Sequence, residues 1–396
     1  MAGGLAAVAV DDGQSGEADD ILATVEDVLS GSGSDFVLGQ HYNPSSPWPR
    51  FTVKRYTRQL DFARDASKAD RTRLQFENPP RGGGQQPVRG EQQQSQTVIA
   101  GGTTPWALQL EYWMTPHGFL KAAAARNATA KTQTVGRRRF TVLSFVGDNK
   151  AAVNGYLNDQ NLIERVETWI DNPLYGDLHW EAIYTDYQNA GGFAFPRHIV
   201  QRQLEWPILD IVVDEVKPNA SVTIAAPAPP AAAPAAAAGT PSEKLGDGVY
   251  LILGGYASIA VDFKDYIVII EGPQSEERGM AVINEAKRLI PNKPIRYVIN
   301  THHHVDHSGG LRPFVAEGAT IVTHQINKAW FEKVFAMPHT LNPDRLAQAR
   351  RRPSFETMTE RKVLTDGNHV IEIHQDRKST RLNSSHVSES RMPSSA

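Results

Sequence analysis

The densest collection of reactive side chains in this sequence is the run Tyr297-Val-Ile-Asn-Thr-His302-His303-His304-Val305-Asp306-His307-Ser-Gly-Gly310. In a locally extended loop, side chains at i and i+2 lie on the same side, so His302 and His304 can converge on one ion while His303 points elsewhere. Asp306 and His307, on the turn that follows, can reach a second ion, or the same one from another direction. Ser308, Gly309 and Gly310 let the backbone turn tightly and start a helix close to the metal. The whole chain holds no cysteine, which excludes a thiolate nucleophile, a disulfide framework and any Cys-ligated zinc or iron–sulfur site. Imidazole and carboxylate donors without thiolate suit zinc, and equally iron or manganese. A carboxylate among the donors points to a working metal rather than one that serves folding alone.

The segments around this run read as the elements that must hold it. Residues 249–253 and 259–263 have the pattern of strands, 264–265 that of a tight turn, and 266–270 that of a returning strand. Ser275 is placed to cap a helix in which Met280, Ile283, Ala286, Leu289 and Ile290 recur at helical spacing until Pro291 stops it. A strand over 296–300 leads into the histidines, a helical turn over 311–316 leaves them, and 320–323 and 327–335 continue as strand and helix. Strand and helix alternate, which predicts an α/β layered domain.

Upstream, the sharpest shift in composition is 225–238, made only of alanine and proline. Prolines at 227, 229, 230 and 234 block a continuous helix and favour a semi-extended spacer, so the two sides are expected to fold separately. After a short helix predicted over 19–29, the pattern turns strand-like at 139–145, 162–170, 178–187, 198–204 and 208–216, with one helix near 119–125. Strands in succession imply an antiparallel sheet. Two polar loops, 43–49 and 78–96, interrupt it. The tryptophans at 48, 106, 113, 169, 180 and 206 either fill its core or grip an apolar ligand. Arg137, Arg138 and Arg139 read as a solvated turn. The fold class is therefore α+β with two domains. Residues 1–17 are a disordered or residual signal segment, 18–224 an antiparallel β-rich domain, 225–242 the linker, 243–376 the layered domain, and 377–396 a serine-rich, foreign-looking tail expected to lack structure.

His302-x-His304-x-Asp306-His307, with the strand before it and the Gly309-Gly310 pair after it, resembles the signature of the metallo-β-lactamase-fold hydrolases. The resemblance covers about residues 244–375, and Asp247-Gly-Val-Tyr-Leu-Ile-Leu253 is similar to that family's first strand. It implies an αββα sandwich with one or two metal ions, zinc first, along its upper edge. By that likeness His302 and His304 bind the first metal and Asp306 and His307 the second. A hydroxide held between the metals would attack the substrate, and Asp306 would orient it and take up a proton. Two departures stand out. Where many members carry Asp at the end of the strand before the first helix, this chain has Glu271 and Gly272; the longer carboxylate either braces a ligand histidine by hydrogen bond or is a solvated strand end. The family's later ligands, a His, a bridging Asp and a last His, have no recognisable counterpart. His324, His339, His369 and His374 read as surface or packing residues. The layered part thus resembles the first half of the sandwich, expected to hold metal weakly and turn over little.

The upstream region is similar to β-rich domains that precede such hydrolases in some bacterial exported proteins, and to the curved half-barrel of periplasmic lipoprotein carriers. That likeness implies a periplasmic or secreted parent. A net charge of −3 with 21% charged residues offers no basic stripe for nucleic acid, and no run is long enough for an integral membrane segment. The expected partner is a small-molecule substrate with an ester-, thioester- or amide-like bond. The rival expectation is a ligand- or lipid-binding β domain beside a degenerate, inactive hydrolase partner.

Overall fold

The computed structural model describes residues 26–76, 90–190, 192–226 and 240–375, together with the backbone of 385–388. Eleven strands make up the N-terminal part: β1 (Glu26–Phe36), β2 (Arg50–Asp61), β3 (Ala66–Gln75), β4 (Gln92–Ile99), β5 (Thr129–Val135), β6 (Arg138–Val146), β7 (Ala152–Leu157), β8 (Ile163–Asn172), β9 (Gly176–Ala190), β10 (Phe193–Gln203) and β11 (Trp206–Pro218). They pair antiparallel in the order β4-β3-β2-β1-β11-β10-β9-β8-β7-β6-β5. Between β4 and β5 lie helices α1 (Trp106–Trp113) and α2 (Pro116–Ala125). These helices touch β3 and β4 at one end of the sheet and β6 at the other, so the sheet must curl around them. Phe119 of α2 stacks toward Phe145 of β6, with ring centroids 5.8 Å apart. Its ring also fills the space left by the missing side chain of Gly155.

The helix expected over 19–29 is corrected: residues 26–29 belong to β1, and the rest lie outside the described residues. Gly31 and Gly33 hid the strand, since they read as loop formers. A Cβ at these positions would sit 2.2 Å from the Val212 carbonyl oxygen and 2.0 Å from that of Asp210, so the neighbouring strand admits only glycine there. The expected loop 78–96 overlaps β4 from residue 92 onward; residues 77–89 lie outside the described residues, as do 1–25. Trp48, Trp106, Trp113 and Trp180 are core residues, whereas Trp206 is exposed.

The C-terminal part has a seven-stranded sheet: β12 (Ser242–Gly246), β13 (Val249–Ile252), β14 (Ser258–Asp262), β15 (Ile267–Ile270), β16 (Ile295–Ile299), β17 (Thr320–His324) and β18 (Ser354–Met358), in that order across the sheet. β12 to β15 run antiparallel, and β15 to β18 pair in parallel. The parallel crossovers carry α3 (Glu276–Leu289), α4 (Val305–Ser308), α5 (Leu311–Glu317), α6 (Gln325–Phe335) and α7 (Arg345–Ala349). A second sheet comprises β19 (Arg361–Thr365), β20 (Val370–Gln375) and β21 (Ser385–Ser388), the last within the tail expected to lack structure. Alternation along the strands sets the layers. Ile267, Ile269 and Val298 join Val282, Ile283 and Phe314 of the helices. Val268, Ile270, Tyr297 and Ile299 turn the other way to meet Leu364, Ile371 and Ile373 of the second sheet. Helix, sheet and sheet are three layers of an α+β architecture. Ser275 caps α3 as expected, its hydroxyl accepting from the Arg278 amide.

The two parts are docked, against the expectation that the spacer separates them. Asp177 N–H donates to the Pro338 carbonyl (2.8 Å), and Tyr175 meets Trp330 edge-on with centroids 6.3 Å apart.

Candidate metal centre

The strand that delivers the histidines is β16, apolar and buried at its centre because both faces are covered. It leads directly into Asn300, a fully buried amide whose Nδ2 donates to the His302 carbonyl (2.6 Å) and whose Oδ1 accepts from Thr323 Oγ1 (3.2 Å). Asn327 Nδ2 extends the chain to Thr323 (3.1 Å). This buried polar chain ties the histidine loop to β17 and α6.

Beyond it, His302, His304, Asp306 and His307 stand in one cluster. Ring centroids are 4.6 Å apart for His302 and His304 and 4.1 Å for His302 and His307, and His307 Nε2 lies 3.6 Å from Asp306 Oδ2. His303 turns aside, bonding His41 Nδ1 through Nε2 (3.0 Å) and packing against Trp330. Glu271 is the hub of the opposite wall. Its Oε2 accepts from Thr301 Oγ1 (2.5 Å) and from His307 Nδ1 (2.9 Å), and its Oε1 from the Thr301 amide (3.3 Å). Its backbone sits at φ 76°, a left-handed conformation rare for a residue with a side chain. Donor atoms of Glu271, His302 and His307 all fall within 4.8 Å of one another.

The hydrogen bonds fix the tautomers, and the tautomers fit a metal. Thr301 Oγ1 gives its proton to Glu271, so it accepts from His302 Nδ1–H (3.0 Å) and the His302 lone pair lies on Nε2. His307 donates from Nδ1 to Glu271, which puts its lone pair on Nε2 as well. His304 donates from Nε2 to the His41 carbonyl (2.8 Å), which puts its lone pair on Nδ1. Each imidazole is thus held by an acceptor at one nitrogen and basic at the other, the arrangement of metal-bound histidines. Asp306 supplies the anionic donor. Burial pushes its carboxyl up, but the hydrogen bond from Gln40 and the proximity of His307 outweigh burial, aided by Tyr256, and hold it below the usual carboxylate range.

Sequence reasoning missed three residues. Gln40 Nε2 donates to Asp306 Oδ1 (2.8 Å), Tyr256 OH donates to Oδ2 (3.0 Å), and His41 meets both His303 and His304. Burial, with His304 nearby, lowers His41 to about 4, and burial with His41 and His304 lowers His303 well below the ordinary value, so both rings are neutral. None of these partners is near the histidine run in sequence, and no local pattern announces them. The other histidines act as expected of packing or surface residues: His324 caps α6, His339 is buried 3.7 Å from Asp344, His369 bonds the Asp247 carbonyl, and His374 pairs with Glu372. A second group, Glu167, His179 and Glu181, is also compact, but Arg165 lies 3.7 Å from Glu167 and Arg202 3.6 Å from Glu181, so an ion-pair network already balances its charge.

Residues 258–374 match the family model of the metallo-beta-lactamase superfamily. By that match the C-terminal layers are a metallo-β-lactamase-fold domain, represented in part. No curated protein matches the chain. Similar solved structures include a B3 metallo-beta-lactamase with an active-site glutamic acid, at 22% identity and a TM-score of 0.28, covering 37% of this chain and 55% of that one. Another is the subclass B3 metallo-beta-lactamase BJP-1 of Bradyrhizobium japonicum, at 20% identity and a TM-score of 0.29, covering 38% and 58%. A third is MIM-1 of Novosphingobium pentaromativorans, at 18% identity and a TM-score of 0.28, covering 37% and 54%. The chain spans about half the length of these structures. Among the described residues no helix is long and apolar enough to cross a membrane.

Proposed function

We propose that this chain carries a metal-dependent hydrolytic site of the metallo-β-lactamase type, acting on an ester-, thioester- or amide-like bond. One observation carries the reading: three histidines whose tautomers are set by outward acceptors present basic nitrogens beside a low-pKa carboxylate. A catalytic zinc needs three protein ligands and an open position. His302, His304, His307 and Asp306 would offer its donors, and of these His302 and His307, together with Glu271, already have donor atoms within 4.8 Å of one another. A second ion would draw on donors beyond these. When bound, the metal supplies a nucleophile at neutral pH by lowering the pKa of water. Glu271 keeps His307 and, through Thr301, His302 in register. Asp306, held at both oxygens by Gln40 and Tyr256, orients the attacking water and receives its proton. Iron or manganese would suit the same donors.

The test is zinc titration of the metal-stripped chain with assay against ester, thioester, lactone and β-lactam substrates. Zinc should bind weakly and support low but measurable turnover, and Asp306→Ala should abolish that turnover with an unchanged circular dichroism spectrum. A chain that binds no zinc and hydrolyses none of these substrates overturns the reading. It would favour instead the N-terminal sheet as a ligand-binding module, for which one observation speaks: a cavity of about 180 Å³ lined by Leu38, Tyr56, Arg58, Arg71, Glu111 and Leu209.

A further inference from the structure

Gln40 and His41 belong to the loop between β1 and β2, in the N-terminal sheet, more than 200 residues from the histidine run. Yet their contacts fall on the ligand set itself. Gln40 Nε2 holds Asp306 Oδ1 at 2.8 Å, and the His41 carbonyl takes the His304 Nε2 proton at 2.8 Å. The His41 ring engages His303, which lies between His302 and His304 in sequence, at 3.0 Å, and meets Trp330 edge-on at 5.9 Å. His41 is buried. The loop reaches this depth because residue 39 is glycine. Gly39 sits at φ +65°, and a Cβ there would lie 2.5 Å from Val305 Cγ2 and 3.2 Å from the Tyr175 hydroxyl.

From these contacts we infer that Gln40 and His41 are positioning residues of the metal centre, so that the N-terminal sheet completes the hydrolytic site instead of merely being tethered to it. This rests on the metal-centre reading above. Two features separate positioning from plain adhesion. Adhesion needs only apolar area, whereas this loop supplies a donor to the one carboxylate of the set and an acceptor to one of its imidazoles, the complements that fix a carboxylate's orientation and a histidine's tautomer. The Gln40 Oε1 atom is also buried with no hydrogen-bond partner among the described residues, a desolvation cost that packing alone would relieve by turning the amide outward. The Asp306 contact keeps it in.

The experiment uses the full chain and cobalt(II), read by its visible absorption and by competition with a chelator. Gln40→Met keeps the length of the side chain and removes its donor. It should weaken cobalt binding about tenfold, the usual scale for partners that orient a metal ligand. It should also alter the visible bands, and leave the thermal midpoint of the metal-free protein unchanged. His41→Ala keeps the backbone carbonyl that His304 uses, so it should weaken binding less than Gln40→Met. If Gln40→Met gives no cooperative melt, Gln40→Glu is read in its place, since it retains size and polarity but places a second carboxylate against Asp306. Cobalt affinity and spectrum identical to the parent chain in the variant that folds overturn the inference and leave the metal centre standing. A parent chain that binds no cobalt overturns both.

Discussion

Glu271 shows how one carboxylate can organise a site without being its reactive group. Three donors converge on it, from the Thr301 amide, the Thr301 hydroxyl and His307 Nδ1, and it tolerates a left-handed backbone to receive them. Buried carboxylates elsewhere in the chain obey the same rule that partners must offset desolvation. Burial pushes Glu167 up, but hydrogen bonds from His179 and Tyr156, with Arg165 nearby, outweigh it and hold the carboxyl down to about 2. The sign follows from linkage: a group depressed on folding stabilises the fold above its unfolded pKa, near 4.3, and that contribution is lost as pH falls through the folded value. Urea midpoints should therefore fall between about pH 4.5 and pH 2, with Glu167 contributing at most about 3 kcal/mol of the loss. Glu167→Gln should flatten that part of the profile. An unchanged acid limb in the variant would mean that Glu167 is not held down.

At the scale of elements, the site depends on how closely two loops approach. Gly310 N–H donates to the Gly272 carbonyl at 3.0 Å, and a Cβ on Gly310 would stand 2.3 Å from the Pro273 carbonyl oxygen. This approach sets the distance between Glu271 and His307. Gly310→Ala must push backbone against backbone, so it should destabilise the protein by on the order of 2 kcal/mol and weaken zinc binding. Gly246→Ala, with nothing within 4 Å of the added carbon, should change stability by less than about 0.5 kcal/mol. Thermal melts and zinc titration of the two variants decide it; equal behaviour would remove the glycine from the argument. These elements were legible in the sequence where local signals agree. Ser275 before an amphipathic run marked α3, and the His-x-His-x-Asp-His spacing marked the cluster. The helix α1 was not legible, because Pro105 precedes it with no side-chain cap. β1 was hidden by glycines whose purpose is the proximity of β11. Gln40, His41 and Tyr256 could not be read at all, since their roles come from contacts across the fold.

Across the whole molecule the open question is whether the two parts behave as one body. An alanine–proline spacer by itself transmits little, but the docked surface is specific. The Asp177 carboxylate accepts from the Thr340 amide (2.9 Å), the Thr340 hydroxyl (2.5 Å) and the Leu341 amide (3.0 Å), while Asn342 Nδ2 reaches Asp171 (3.0 Å). Gly176, at φ +64°, leaves room for the Pro338 carbonyl, which would lie 2.1 Å from a Cβ. Tyr175, just before Gly176, touches Trp330, and Trp330 in turn packs on His41 and His303. A continuous path of contacts therefore runs from the Asp177 clamp to the metal cluster. If the path is cooperative, weakening one end should loosen the other, because local opening proceeds in contiguous units. Asp177→Ala removes the clamp at a partly exposed position and leaves both sheets intact. Hydrogen exchange should then quicken at residues 340–341, which lose their acceptor, and also at 39–42, which touch nothing that was changed. Faster exchange confined to 340–341 would show that the clamp and the Gln40–His41 loop dock separately, and that the metal centre keeps its N-terminal wall by the loop's own contacts.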